Sequence, residues 1–177
     1  MLTVGNKKIY ENLYVCDTSS LVEASIWYKR IPGFWNFLSE LGDNNKLFIP
    51  KMVSIEIKKK DDFIKNWLEK NNKIIKEIDE SQQKIFNQIK DENPNFIDLN
   101  RQDPNADPWV IALAYKLSKS PRIDIEAKVV VLTEESLNEP PQNNDTNWRP
   151  KIPYVCKKYK LQWKSIKYLL DLENKTI

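Results

Sequence analysis

Leu13-Tyr14-Val15-Cys16-Asp17-Thr18-Ser19-Ser20-Leu21 opens with four apolar residues, halts at an acid and continues into hydroxyls. An unbroken apolar run of this kind suits a strand covered on both faces, as in a parallel sheet. Thr18-Ser19-Ser20 offers N-cap chemistry, and Leu21, Val22, Ile26 and Trp27 suit a helix behind it. The stretch therefore predicts a strand, a turn bearing Asp17, and a helix.

The same transition recurs along the chain. Leu47-Phe48-Ile49 reads as a second strand ended by Pro50, and Val129-Val130-Val131-Leu132 as a buried strand followed by Thr133-Glu134-Glu135. Helical spacing marks Phe34, Trp35, Phe37, Leu38 and Leu41 after the Pro32-Gly33 break, with a stop at Gly42. Residues 61–70 and 81–91 also read as helices. Residues 108–117 make the clearest one, with Asp107 as N-cap and Pro108 in the first helical position. Residues 51–60 show partial alternation at Met52, Val53, Ile55 and Ile57, yet Pro50 before them and lysines at their end favour helix. Short strands are expected at 74–78 and 161–163, and helices at 155–158 and 165–172. Residues 1–11 form a polar lead-in, 93–105 a polar loop and 138–153 a long loop with Pro140-Pro141 and Pro150. Strands alternating with helices argue for an α/β fold on a parallel sheet.

Composition narrows the chemistry. The 177 residues fit one domain, 1–177, and 41% hydrophobic with 30% charged residues fits a soluble globular chain. Three glycines and the lack of GxxxxGK[ST] or GxGxxG argue against a glycine-rich phosphate loop. No apolar run approaches the ~18 residues of a membrane span, and no signal-peptide core opens the chain, so a cytoplasmic location without membrane contact is expected. The chain has no histidine. Ser-His-Asp and Cys-His mechanisms, HExxH proteases and His-ligated zinc are thereby excluded. Cys16 reads as a core residue and Cys156 as inert, with no disulfide between them.

The remaining inventory is oxygen. Asp17, Glu56, Asp107 and the pair Glu134-Glu135 each stand where an apolar run gives way to a polar turn, with Asp103 a weaker competitor to Asp107. Strand ends along one edge of an open α/β sheet form the binding crevice. Facing carboxylates repel, and a divalent cation relieves the repulsion; oxygen-only ligands suit Mg²⁺ or Mn²⁺. Each acid also has an ordinary reading, Asp17 and Asp107 as helix caps and Glu56 as a solvated residue. The DxDxT phosphatase motif fails, because Ser19 stands where its second Asp is required. The net charge is only +3, but Trp148 to Tyr168 holds Arg149, Lys151, Lys157, Lys158, Lys160, Lys164 and Lys167 and no acid. Lys58, Lys59 and Lys60 follow Glu56. A positive rim around a negative pocket suits a polyanionic substrate held over an ion.

In order, Asp17-Thr18-Ser19-Ser20-Leu21, Ser54-Ile55-Glu56-Ile57, Ala106-Asp107-Pro108-Trp109-Val110-Ile111-Ala112 and Val131-Leu132-Thr133-Glu134-Glu135 resemble the PIN-domain superfamily. The late Lys151-Ile152-Pro153-Tyr154-Val155-Cys156 and the Asp-Pro-Trp segment resemble a prokaryotic PIN-like group regarded as VapC-type toxins. The resemblance implies a three-layer α/β/α sandwich with a five-stranded, mainly parallel sheet. It implies a Mg²⁺- or Mn²⁺-dependent endoribonuclease, with cleavage leaving a 5′-phosphate. Asp17, Glu56 and Asp107 match its metal-binding acids, and Glu135 falls at the fourth position, where many members have Asp; Glu134 is the alternative. Thr18 or Ser20 matches the hydroxyl supporting the first acid, with Thr133 a further supporting hydroxyl. RNA would lie on Lys58, Lys59, Lys60, Arg149, Lys151, Lys157 and Lys158. A cognate antitoxin and a homodimer are the partners such relatives have.

The competing readings are a catalytically inactive PIN-like module that binds RNA or protein, and another phosphate enzyme on a similar sheet. Trp27, Trp35, Trp67 and Trp109 lie at helical core spacing and are expected to be packing residues. Trp148 and Trp163 are better placed to stack on bases, since lysines and an arginine surround them, though a core role is favoured for Trp163.

Overall fold

The computed structural model describes residues 9–97, 105–120, 125–142 and 145–176. Its centre is β1 (Ile9–Cys16), which pairs with β2 (Leu47–Pro50) on one side and β4 (Ile125–Leu132) on the other. β3 (Ile75–Lys76) and β5 (Gln162–Lys164) complete a five-stranded sheet of order β3-β2-β1-β4-β5. Every pairing is parallel. β1 and β4 run in register from Ile9↔Ile125 to Cys16↔Leu132, so both strands end level. Leu13, Tyr14, Val15 and Cys16 have no exposed surface, as an apolar run covered on both faces requires.

The strand order has one consequence for function. The chain moves outward from β1 to β3, then returns to the other side of β1 at β4. The direction of winding reverses between β1 and β4, and right-handed crossovers place the helices of the two halves on opposite faces. α1 (Thr18–Tyr28), α2 (Pro32–Asp43), α3 (Lys51–Ile57) and α4 (Asp62–Lys70) pack among themselves. α5 (Glu80–Glu92) packs on α6 (Asp107–Lys119), and α6 on α7 (Ile152–Lys158). The expected α/β/α layering is the observed one. The described elements share one continuous core. Among the described residues no helix is long and apolar enough to cross a membrane.

Local chemistry sets the helix starts. Asp17, Asp61 and Asp79 cap α1, α4 and α5 by accepting the backbone N–H three residues on. Prolines stand in the first turns of α2, α6 and α7. The chain end is tied to the sheet by Glu173, beyond α8 (Leu169–Leu172), which accepts from the Tyr14 hydroxyl at 2.7 Å and pairs with Lys46 at 3.2 Å.

Several expectations are corrected. Residues 9–11 of the lead-in are strand, because the β1–β4 ladder extends back to Ile9; residues 1–8 lie outside the described residues. Residues 51–60 are helical only through Ile57. Ala106, not Asp107, is the N-cap of α6, and Asp107 is its first residue. The long loop ends at Lys151, because Ile152-Pro153 already opens α7 with proline where a missing N–H costs nothing. The expected terminal helix is a 3₁₀ turn at Ile166–Tyr168 followed by α8. Trp35, Trp67 and Trp109 are buried as expected, but Trp27 is 68% exposed. Trp163 is half-buried against the core.

Candidate functional site

At the β1–β4 reversal, Asp17 is the first residue past its strand, and its N–H donates to Leu132 O at 3.0 Å. Its carboxylate is 3% exposed. Oδ1 accepts the Ser20 N–H at 2.8 Å; the Ser19 hydroxyl reaches both oxygens, at 3.0 and 2.8 Å. The Thr133 hydroxyl donates to Oδ2 at 2.7 Å across the strand boundary. Burial nonetheless dominates and pushes the Asp17 pKa up to about 6, against the pull of these donors and with a further push from Glu135. Among the described residues, no cation bonds to Asp17. A buried carboxylate held in place by hydroxyls but lacking a counter-charge has the character of an ion ligand.

Three consecutive residues serve three different acids. The Thr18 hydroxyl donates to Glu56 Oε2, Ser19 to Asp17, and Ser20 to Glu134 Oε1 at 3.4 Å. Thr18 and Ser20 therefore support neighbouring acids rather than Asp17 itself, contrary to expectation; of the predicted hydroxyls only Thr133 holds Asp17. Ser19, which the resemblance does not mark as a supporting hydroxyl, holds Asp17 as well. Its role follows from the N-terminal turn, where the side chain two residues past the cap folds back over it.

Glu56 lies in the last turn of α3 and is 3% exposed. Lys60 stands 3.3 Å from its Oε1, one turn further along the chain. The two successive glutamates after β4 part company. Glu134 caps the 3₁₀ turn, accepting from Ser165 Oγ at 2.6 Å and from the Ile166 N–H at 2.8 Å. Its backbone N–H donates to Ser19 Oγ at 2.9 Å. Glu135 accepts the Ile152 N–H at the start of α7 through Oε2, at 2.8 Å, and its own N–H donates to Thr133 Oγ1 at 3.2 Å. Glu134 is committed to the fold, while Glu135 faces the charge of Asp17.

Asp107 opens α6 and is half-buried. α6 packs on β4 and precedes it by a short connection, so it runs antiparallel to the strands and its first turn lies at the edge where Asp17 sits. Among the described residues no three Asp, Glu or Cys side chains converge closely enough to ligate one ion directly. Oxygen donors of this kind would suit Mg²⁺ or Mn²⁺ only with one or two carboxylates as direct ligands and water as the rest. Asp103 lies outside the described residues.

The predicted basic set divides. Lys58, Lys59 and Lys60 are exposed just past Glu56, and Arg149 and Lys151 are exposed ahead of α7, whose start Glu135 holds. Lys157 and Lys158 sit in the last turn of α7, where Lys157 pairs with Glu139 at 2.7 Å and Lys158 bonds Asn93 Oδ1 at 2.6 Å. Cys16 and Cys156 are both buried and free, and burial first, then nearby carboxylates, raise their thiol pKa values.

No curated protein matches the sequence. Residues 14–177 match the family model described as Domain of unknown function (DUF4411), a span that starts within β1 and covers the other four strands and every acid at the carboxyl edge, and the chain belongs to that family.

Proposed function

We propose that this chain is a Mg²⁺- or Mn²⁺-dependent endoribonuclease of the PIN type, with Asp17, Glu56, Asp107 and Glu135 around one hydrolytic centre. The observation that carries the reading is Asp17, a buried carboxylate at the winding reversal with a pKa raised to about 6 and, among the described residues, no cation bonded to it. When bound, a divalent cation supplies Lewis acidity, promoting ionisation of the attacking water and offsetting charge on the phosphate oxygens. Asp17 and Asp107 would hold the ion, and Glu56 and Glu135 would orient its water shell. Ser19 and Thr133 fix the Asp17 carboxylate so that no reorganisation accompanies loading. Lys58, Lys59, Lys60, Arg149 and Lys151 would hold the RNA backbone around the acids. The PIN resemblance extends the proposal to the toxin of a toxin–antitoxin pair, acting in the cytoplasm and held inactive by a cognate antitoxin; a homodimer belongs to the same proposal.

The test is purified protein against single-stranded RNA with Mn²⁺ and with EDTA. Cleavage with Mn²⁺, lost in EDTA and in Asp17→Asn, is the expected result; full activity in Asp17→Asn refutes the assignment. One observation favours a second reading, a PIN-like module that binds RNA or protein without cleaving: no three described acids converge on one point. Calorimetry decides between them, since that module takes up no Mn²⁺.

A further inference from the structure

The geometry points to a nucleobase subsite in the groove between α1 and the 3₁₀ turn at Ile166–Tyr168, where an unpaired base stacks on Trp27 and its phosphate meets Lys167. The inference rests on the ribonuclease reading for the identity of the polymer. The groove encloses about 250 Å³ and is lined by Glu23, Trp27, Tyr28, Ile166 and Lys167. Trp27 is 68% exposed, although α1 buries Leu21 and Ala24 completely. The indole thus offers a stacking face that the packing of α1 does not use. The ring is also pre-set: its Nε1–H donates to Glu23, one turn back on the same helix.

Hydrogen bonds tie the walls of the groove to the acid edge. Ser20, Glu23 and Trp27 follow one stripe down α1. Ser20 at its head and Ile166 on the facing wall both donate to Glu134 Oε1, at 3.4 and 2.8 Å. Trp27 then lies roughly 15 Å along the helix from Asp17. A strand crossing Asp17 would run on past Glu134 into this groove.

Glu23 and Lys167 place one charge of each sign in the groove, and the carboxylate is turned to the indole N–H. Lys167 stands 5.1 Å over the Tyr168 ring and makes no ion pair among the described residues, and Arg30 just past α1 makes none either. An amphipathic protein helix would need apolar anchors over two turns, whereas Trp27 is the one large exposed apolar side chain among the residues lining this groove. An aromatic face beside a cation is the combination that accepts any base.

The test is anisotropy of a labelled single-stranded oligoribonucleotide with the full chain in EDTA, so that binding is read without cleavage. Trp27→Ala is expected to weaken binding about tenfold, the scale of one lost base stack, and Trp27→Phe to restore most of it. Lys167→Ala is expected to weaken binding and flatten its salt dependence by about one phosphate contact. The latter variant decides the matter if Trp27→Ala melts early. Unchanged affinity in Trp27→Ala, or no RNA binding by the wild type, overturns the subsite. So does a wild-type dimer in sedimentation that Trp27→Ala dissociates without changing RNA affinity, which would make a second copy the occupant. Cleavage with Mn²⁺ is scored separately. Trp27-dependent binding without cleavage sinks the ribonuclease and leaves the subsite; cleavage with Trp27-independent binding does the reverse.

Discussion

Thr133 donates its hydroxyl to Asp17 Oδ2 at 2.7 Å, while Thr133 Oγ1 itself accepts the Glu135 N–H at 3.2 Å. One buried hydroxyl thus couples the turn after β1 to the turn after β4, and the level ends of those strands make the span short enough. Thr133→Val keeps the shape and removes both bonds. Unsatisfied buried groups cost about 1–3 kcal/mol each, so a loss of that order is expected in urea denaturation, with Thr133→Ser near wild type. A Thr133→Val protein as stable as wild type would show that the bond does not hold the edge together.

Asp17→Asn removes a buried charge, and it is expected to abolish Mn²⁺-dependent cleavage while raising the melting temperature of the metal-free protein. The sign follows from the pKa. Asp17 titrates near 6 in the folded chain and near its ordinary 3.8 when unfolded. Between those values the folded state holds a proton that the unfolded state has released, so stability is fullest at the acid end and declines as pH rises through the window. A gap of about two pH units corresponds to at most ~3 kcal/mol. Asp61, Asp79 and Glu92 are held below their ordinary values by hydrogen bonds and nearby lysines; they act in the opposite sense and at lower pH. Urea midpoints in EDTA across the window should fall for wild type and stay flat for Asp17→Asn. Added Mn²⁺ should remove the slope. A slope that persists in Asp17→Asn would assign it elsewhere.

The parallel sheet was legible because apolar runs such as 129–132 admit few other readings, and Asp17 was legible because it ends one of them. What stayed hidden was set by contacts distant in sequence. The Ile9–Glu11 extension of β1 is cut off from the apolar run at Leu13 by Glu11 and Asn12, and exists through its pairing with Ile125–Ala127. The division between Glu134 and Glu135 depends on Ser165 and Ile166, about thirty residues on, whose donors only the fold brings round. Trp27 fits a core pattern by spacing, yet it lines an open groove against the short 3₁₀ turn and stays exposed. Tertiary packing, not periodicity, decides how far a helix face is covered.

The two glutamates should separate under mutation. Glu134→Gln weakens the cap on Ile166 and is expected to lower stability with little change in Mn²⁺ affinity. Glu135→Gln is expected to do the opposite, since it lowers the charge facing Asp17 and leaves the Ile152 N–H an acceptor. Calorimetry and thermal melts on the pair read both effects, and a Glu134→Gln protein that alone loses Mn²⁺ would reverse the assignment of the fourth acid.

Lys60 competes for Glu56. Its ammonium is 3.3 Å from Oε1 and its side chain is 40% exposed, so the pair is worth ~0–1 kcal/mol. A cation arriving at Glu56 must displace or share it. Lys60→Met is therefore expected to tighten Mn²⁺ binding by up to about fivefold while weakening RNA binding, a split that calorimetry and anisotropy resolve. Weaker Mn²⁺ binding in Lys60→Met would mean that Lys60 orders Glu56 rather than competing for it.

Gly42 separates fold from site. It is buried near the end of α2, and a Cβ there would overlap the Cγ2 methyl of Ile74, in the turn leading into β3. Ile74 is 1% exposed and β-branched, so its methyl has no free rotamer to retreat into. Gly42→Ala must push the turn away from α2, and overpacking of this kind costs about 1–3 kcal/mol. The strain falls at the β3 edge of the sheet, remote from the β1–β4 reversal. Gly42→Ala should accordingly melt early, yet bind Mn²⁺ as wild type does while folded. Loss of Mn²⁺ affinity at a temperature where circular dichroism still reports native structure would show that the acid edge depends on the far side of the sheet.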